Sequence, residues 1–468
     1  MAVSGRYCEG ETESLTQHRQ GSPRQPRWVH HRVGGWLPND HSVLEKWLDK
    51  MISHVEDPSR IPKPFHPVIG EFKDFIERDP VIYMGFHQMF EQVPNKPPYD
   101  QDPTGTPQVR DYMLMLRLFN HIITTAPKYE EDDLVGFPIN AILDWPMGTP
   151  AGLAMFCDPT VNEMFKKMFY VWSGFLSSAD SCYVLSTDDD GWFGPKASAA
   201  IPDFADTFVC DPSKPYYGFA SWDTFFTREF RPGKRPVLLP DDDDYINNAC
   251  ESTIYRIRTN IQANEYFWMK GEPYSLRLMF NNDSAADLFV GGTIYQAFLS
   301  ALSYHRWHSP VNGKIVRTVL IPGTYYAESP AMGFQLDIIG ASGTTIDSKT
   351  SATEIGDDGK PVPDPAGPNN SQGFITSTAA RALIYIQADN PNIGLMCFMA
   401  IGMAEVSTNQ ITVQAGQVVK KGDQLGMFHF GGSTHCLIFR PETKITFVGD
   451  LPTDKNIDLN TPIAKIDK

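Results

Sequence analysis

Met427-Phe-His-Phe-Gly-Gly-Ser-Thr-His-Cys-Leu-Ile-Phe439 is the stretch on which the reading of this chain turns. A Gly-Gly-Ser-Thr step lies between two apolar arms of strand-like composition. Glycine ahead of a serine removes the side chain that would crowd the carbonyl between them and admits backbone conformations other residues avoid. Those conditions suit a serine hydroxyl attacking its own preceding peptide. Ser433 Oγ adds to the Gly432 carbonyl through a five-membered ring, the C–N bond opens, and an ester replaces the amide. Loss of the Ser433 Cα proton and of the Cβ–O bond then leaves a Gly432 carboxylate and a dehydroalanine. Water converts the dehydroalanine to a pyruvoyl group and releases ammonia. Taken alone, the segment reads equally as a hairpin loop or a phosphate-binding turn.

A second stretch, Ser303-Tyr-His-Arg-Trp-His-Ser-Pro-Val-Asn-Gly-Lys-Ile315, sets His305 and His308 three residues apart before a Pro-x-x-Gly turn. Imidazoles titrate near neutral pH, so such a pair can divide base and acid duties. A metal site competes with that reading, but no third His, Cys or carboxylate stands at a recognisable spacing. Either histidine alone reads as a satisfied side chain packed under a turn.

Composition narrows the classes. Hydrophobic residues make up 41% and charged residues 21% of the 468, as in an ordinary globular protein large enough for two domains or for one domain with a sizeable extension. A formal net charge of -16, with four acids in a row at Asp241 to Asp244, repels phosphate backbones and anionic bilayers, which argues against a nucleic-acid partner. The acid run reads as a solvated loop. Seven scattered cysteines without a C-x-x-C pair read as reduced thiols, and the N-terminus lacks the apolar stretch of a secretory signal, so a cytoplasmic protein is expected. Leu288 to Tyr304 and Ile393 to Ala404 fall short of the ~20 residues that span a bilayer and read as buried elements, so no integral membrane anchor is expected.

Along the chain, residues 1–38 lack apolar periodicity and read as a mobile leader. From 39 to 204 the pattern is helical. Trp47, Leu48, Met51, Ile52 and Val55 recur at three- and four-residue spacing, as do Phe72, Phe75 and Ile76, then Tyr112, Leu116, Phe119 and Ile123, and Val161 to Trp172 behind an Asp158 cap. These aromatic stripes read as core. From 205 to 468 short β-type runs dominate: Thr253–Ile257, Thr293–Phe298, Ile315–Ile321, Phe334–Ile339, Ala382–Gln387, Ile411–Val413 and Leu437–Phe439. The whole is expected to be α+β. Ser342 to Gly373 reads as a surface excursion, disordered or a lid. Val413 to Gly426 has the Gly-turn rhythm of carrier barrels without an attachment lysine, so it reads as two hairpin turns.

The two motifs in this order, YHRWHSPVNG and FHFGGST, resemble the phosphatidylserine decarboxylase superfamily. So do YYGFASWDTFFTREFRPGKRPV (216–237), KGEPYSL (270–276), IPGTYYA (321–327) and KGDQLGMFHFGGS (421–433). The helical extension, with GTPAGLAMF (148–156) and FKKMFYVWSGFLSSADS (165–181), resembles the fungal branch that includes tryptophan decarboxylases, over about residues 36–468. The resemblance implies that Ser433 is the pyruvoyl precursor, that His308 is the base activating it, and that His305 serves the decarboxylation cycle. The family's acid usually lies in an Ala-Asp-Gly segment; here Ala249-Cys250-Glu251-Ser252 stands there, and Glu251 is the candidate to orient His308. Self-cleavage would yield chains of residues 1–432 and 433–468 that stay associated, with the new keto end acting as covalent cofactor.

Two substrates suit that chemistry: the head group of phosphatidylserine, giving phosphatidylethanolamine, or a free amino acid. The acidic charge and lack of an anchor favour the free acid, and the branch resemblance implies an aromatic one, tryptophan first. Tyr304, Trp307, Phe428 and Phe430 could line a pocket, though core packing is expected for at least half of them. Two other classes remain open. A serine hydrolase built on Ser433, His308 and Glu251 would want a G-x-S-x-G elbow, which position 435, a histidine, breaks. A non-enzymatic barrel module is the other.

Overall fold

The computed structural model describes residues 41–57, 59, 63–92, 109–129, 137–147, 149–264, 274–300, 302–327, 367–405, 407–449 and 455–467. The leader at 1–38, the Phe334–Ile339 run and most of the 342–373 excursion lie outside them. The described residues belong to a single compact unit.

Seven helices come first: α1 (His41–Glu56), α2 (Pro67–Arg78), α3 (Pro80–Glu91), α4 (Tyr112–Ile122), α5 (Pro138–Met147), α6 (Pro150–Cys157) and α7 (Pro159–Leu176). Five of them open on proline, whose fixed φ and missing N–H suit a first helical turn. Acceptors just ahead set the boundaries: Asp79 takes the Val81 amide, Asp111 that of Leu114, and Asp158 those of Thr160 and Val161. The apolar stripes meet in one core holding Phe72, Phe119, Phe165 and Trp172. Tyr326, Ala404 and Phe430 of the β-rich half complete that core. Short helices α8 (Pro195–Ala200), α9 (Phe204–Thr207) and α10 (Trp222–Phe226) lead into the strands.

The largest sheet has eight strands in the order β13-β2-β3-β11-β7-β6-β5-β9. These are β2 (Ser252–Thr259), β3 (Thr293–Leu299), β5 (Gly313–Ile321), β6 (Arg381–Ala388), β7 (Leu395–Met403), β9 (Val418–Val419), β11 (Gly432–Phe439) and β13 (Asn456–Ile457), with antiparallel pairing throughout. Alternation along a strand gives the sheet two apolar faces. Leu437 and Phe439 join Tyr295, Ala297, Phe398 and Ala400 in one core, whereas Cys436 and Ile438 join Met399 and Ile401 in another. The first face is covered by two three-stranded sheets, β1 (Tyr245–Asn247) with β14 (Pro462–Ile466) and β12 (Ile445–Phe447), and β4 (Arg306–His308) with β10 (Gln424–Phe428) and β8 (Asn409–Ile411). The second is covered by α11 (Leu276–Met279), a 3-10 turn at Ser284–Phe289 and Ile375 of α12 (Gly367–Thr378).

The fold is thus α+β, as the patterning predicts. Both membrane-length candidates are sheet elements in large part, β3 and β7, and among the described residues no helix is long and apolar enough to cross a bilayer. Gly416 and Gly422 supply the two turns before β10 with φ of 90° and 84°, values that only glycine adopts without strain. Two expectations need correction. The end of the supposed excursion, from Gly367, is helix α12, anchored by Phe374 and Ile375 packing into two cores. The strand expected at Ile411–Val413 is Asn409–Ile411, placed by its pairing with Gly426 to Phe428. The acid run is only half solvated: Asn312 donates to Asp243 (2.7 Å), and Lys421 Nζ to the Asp242 carbonyl (2.6 Å).

Candidate active site

Ser433 is the second residue of β11, paired with Leu299 of β3 on one side and Gly402 of β7 on the other. By parity with Leu437 its side chain shares the face covered by the two small sheets. It is 1% exposed, and its hydroxyl has no hydrogen-bond partner. An unsatisfied buried hydroxyl costs about 1–3 kcal/mol; Tyr295, Tyr326 and Tyr385 share that state, and what sets Ser433 apart is its place directly after two glycines. Ahead of it, Gly431 adopts φ 151°, and a Cβ there would lie 2.5 Å from Ser407 Oγ. The first glycine of the pair, Gly431, is therefore required by backbone conformation and by close approach.

The two histidines of the second motif diverge. His305 is fully buried, stacked on Phe226 of α10 with ring centroids 3.9 Å apart. Burial, then the neighbouring Arg228 guanidinium, lowers its pKa to about 3; the Phe226 and Ser300 carbonyls oppose that shift. Ser300 follows Leu299, so the His305 ring stands over the end of β3 that pairs with Ser433. Arg228 holds the preceding loop, donating to the Leu302 (2.6 Å) and Ser303 (3.0 Å) carbonyls.

His308 pairs with Gln424 at the opposite end of β10, whereas the Phe428 amide donates to the His305 carbonyl. Its Nδ1 meets the Gly422 carbonyl at 2.7 Å and its Nε2 the Tyr304 hydroxyl at 3.0 Å. A carbonyl only accepts, so Nδ1 carries the proton and Nε2 accepts from Tyr304. Burial lowers the His308 pKa to about 4. Both histidines are neutral at pH 7. Glu251 is 3% exposed, ion-paired with Arg235 through Oε1 and hydrogen-bonded by Asn456 (2.6 Å) at Oε2, while the carbonyl of Ala249, two residues before it, accepts from the His308 amide. The partner at His308 Nδ1 is thus a backbone carbonyl, and both Glu251 oxygens are engaged away from it.

Three features carried no isolated signal in the sequence, and the four aromatics named beside the motifs are buried. His435, two residues beyond Ser433 on the same face, is fully buried among Phe398 and Tyr295, and burial lowers its pKa to about 3. His429, inside the quoted motif, meets Asp223 at 2.8 Å and Gln410 at 2.9 Å. Glu405 is fully buried, and Ser407 lies against Gly431. Tyr304, Trp307, Phe428 and Phe430 are all at most 4% exposed; Trp307, for one, packs between Phe398 and Phe428. Among the described residues no three His, Cys, Asp or Glu side chains are grouped to hold an ion. The burial of three imidazoles makes a direct prediction. In histidine-labelled protein the ring resonances of His305, His308 and His435 stay unprotonated from pH 8 to 5, and a His305 signal titrating near 6.5 would contradict its placement.

Two family profiles, both described as phosphatidylserine decarboxylase, match residues 66–201 and 222–455. The chain belongs to the phosphatidylserine decarboxylase family. As a member it is a carboxy-lyase. Decarboxylase iboD of Amanita muscaria is 42% identical over 341 residues, covering 71% of this chain and 92% of that protein. L-tryptophan decarboxylase of Psilocybe cubensis is 36% identical over 433 residues, covering 88% and 90%. Phosphatidylserine decarboxylase proenzyme 3 of Schizosaccharomyces pombe is 29% identical over 259 residues, covering 55% of this chain and 22% of its own length. The second decarboxylase profile begins at Trp222, the first residue of the helix whose Phe226 stacks on His305, and it takes in Glu251, both motif histidines and Ser433.

Proposed function

We propose that this decarboxylase cuts itself between Gly432 and Ser433, carries a pyruvoyl group at position 433 thereafter, and removes carbon dioxide from an aromatic L-amino acid, tryptophan first. The observation that carries the reading is the buried, partnerless Ser433 hydroxyl directly after two glycines, the first held at φ 151°. A ketone at that position supplies an electron sink for decarboxylation of a substrate bearing a primary amine. Position 433 suits such a group: Gly402 beside it brings no side chain, and no polar neighbour claims the hydroxyl. After the cut, Thr434 to Phe439 remain paired with β3 and β7 on both sides, which keeps the two pieces together.

His308, neutral and with its proton fixed at Nδ1, serves as base for the cut once its Nε2 lone pair exchanges the Tyr304 hydroxyl for that of Ser433; a pKa near 4 makes it a weak one. His305 serves turnover by returning to the substrate carbon a proton that it first takes up, since the resting imidazole is neutral. Its position over the Ser433 end of β3 favours a second reading, in which His305 serves both steps. Glu251 in this proposal braces Arg235 and Asn456, and the Gly422 carbonyl takes over the orienting duty. Near-full-length similarity to proteins named L-tryptophan decarboxylase supports the aromatic substrate, and the -16 charge supports a free amino acid over a lipid in an anionic bilayer. A cytoplasmic location accords with that substrate.

The test is a decarboxylation screen over free amino acids and phosphatidylserine vesicles, with intact mass measured in parallel. Two pieces and tryptamine from tryptophan are expected. Product from lipid alone would overturn the substrate, and an uncut chain active at full rate would overturn the cofactor.

A further inference from the structure

Resting on the self-cleavage reading, we infer that Glu405 is a positioning residue for the cut, tying the start of α5 to the turn that shapes the Phe430–Gly431 approach to Ser433. Glu405 is fully buried, and its Oε1 accepts from the amides of Ile139 (3.0 Å) and Asn140 (2.9 Å) in the first turn of α5. Phe137, just ahead of that helix, has no side-chain acceptor, so a carboxylate more than 260 residues away caps the helix instead. The same helix start reaches the other flank of the site, because the Phe137 ring stacks on Phe430 at 5.7 Å and 11°.

The turn between these contacts is strained. Ala404, Glu405 and Ser407 have φ of 54°, 33° and 37°, left-handed values that residues with a Cβ resist. Such a conformation persists only where its surroundings over-determine it. Here they do: Ser407 N donates to the Phe430 carbonyl (2.8 Å), Ser407 Oγ to the Met403 and Ala404 carbonyls, and Ala404 N to the Tyr325 carbonyl (3.1 Å). Ser407 also fills the space left by Gly402 and Gly431, the glycine beside Ser433 on β7 and the glycine two residues before it. Contacts thus join α5 to Glu405 and Ser407 to Gly431, leaving the Gly432–Ser433 peptide little freedom to relax away from the attacking hydroxyl. Burial lifts the Glu405 pKa to about 8, so the anchor is a carboxyl whose value lies in its two amide contacts more than in its charge.

The full chain is made by cell-free translation, and cutting is followed by intact mass over time beside the thermal midpoint of the folded protein. Glu405→Gln keeps a carbonyl oxygen for both amides and is expected to cut within threefold of the wild-type rate. Glu405→Ala removes the anchor, and Glu405→Asp keeps the carboxyl group one methylene short of the amides; each is expected to cut at least tenfold more slowly. If the alanine variant fails to fold, the aspartate variant with an unchanged midpoint carries the test. Wild-type cutting in the aspartate and alanine variants overturns the inference, and so does a glutamine variant as slow as alanine. Slowing that only tracks loss of folded protein overturns it too. A wild-type chain never cut at Ser433 instead brings down the underlying reading.

Discussion

Ser433→Ala is expected to leave a single uncut chain of 52.5 kDa, to abolish decarboxylation, and to fold at least as stably as the uncut wild-type precursor. The opposition of these effects makes the variant informative. A serine held for structure loses hydrogen bonds when truncated and destabilises the protein. Ser433 has none to lose, so removing its hydroxyl relieves a desolvation cost of about 1 kcal/mol or more while leaving the Leu299–Ser433–Gly402 row intact. Activity falls to background because no other residue can become the electron sink. The measurements are intact mass, sensitivity to borohydride and a urea melt. Wild type should show a short piece from 433 to 468, which is 468 - 433 + 1 = 36 residues, and an end that borohydride reduces. A cut alanine variant, or one that still releases amine, would displace Ser433 from the chemistry. Loss of several kcal/mol would make it a structural serine.

How much of this was legible beforehand depends on the range of the interactions. The apolar arm after Gly-Gly-Ser-Thr is local and is a strand, but β11 starts at Gly432, five residues ahead of the expected Leu437, because pairing with β3 and β7 carries it through the step. The helical stripes at Phe72, Phe119 and Phe165 are also local, and each of those side chains is in the core. Pairings across the chain leave no such trace. Glu251 was chosen by position for His308, but its oxygens meet Arg235 sixteen residues back and Asn456 more than two hundred ahead. The orienting group at His308 is the Gly422 carbonyl, and a backbone atom has no sequence identity to read. Glu405 stands just past the apolar run Ile393 to Ala404, and only the fold reveals the helix it caps. Composition also misleads where a few anchors outweigh it: Gly367 to Thr378 is rich in turn formers, yet Phe374 and Ile375 hold it as a helix.

Alanine at His308 and at His305 is expected to separate the two steps. With His308→Ala the chain stays full length, because the Nε2 lone pair, presented by the Nδ1–H bond to Gly422, is the proposed base for the Ser433 hydroxyl. With His305→Ala the chain is cut, and turnover falls by about 10²- to 10⁴-fold, the usual contribution of a positioned acid or base. The geometry sets these outcomes in tension. Three residues of extended chain hold the histidines about 10 Å apart, with His305 at the end of β10 that leads into Ser433 and His308 at the other. For His308 to reach the hydroxyl, the precursor must bring Gly422 and Tyr304 toward β11 before the cut. Time courses of cutting for both variants decide whether it does. A cut His308→Ala beside an uncut His305→Ala would reverse the roles, and the ring stacked on Phe226 would then be the base, acting from beside the Ser300 carbonyl without any such movement.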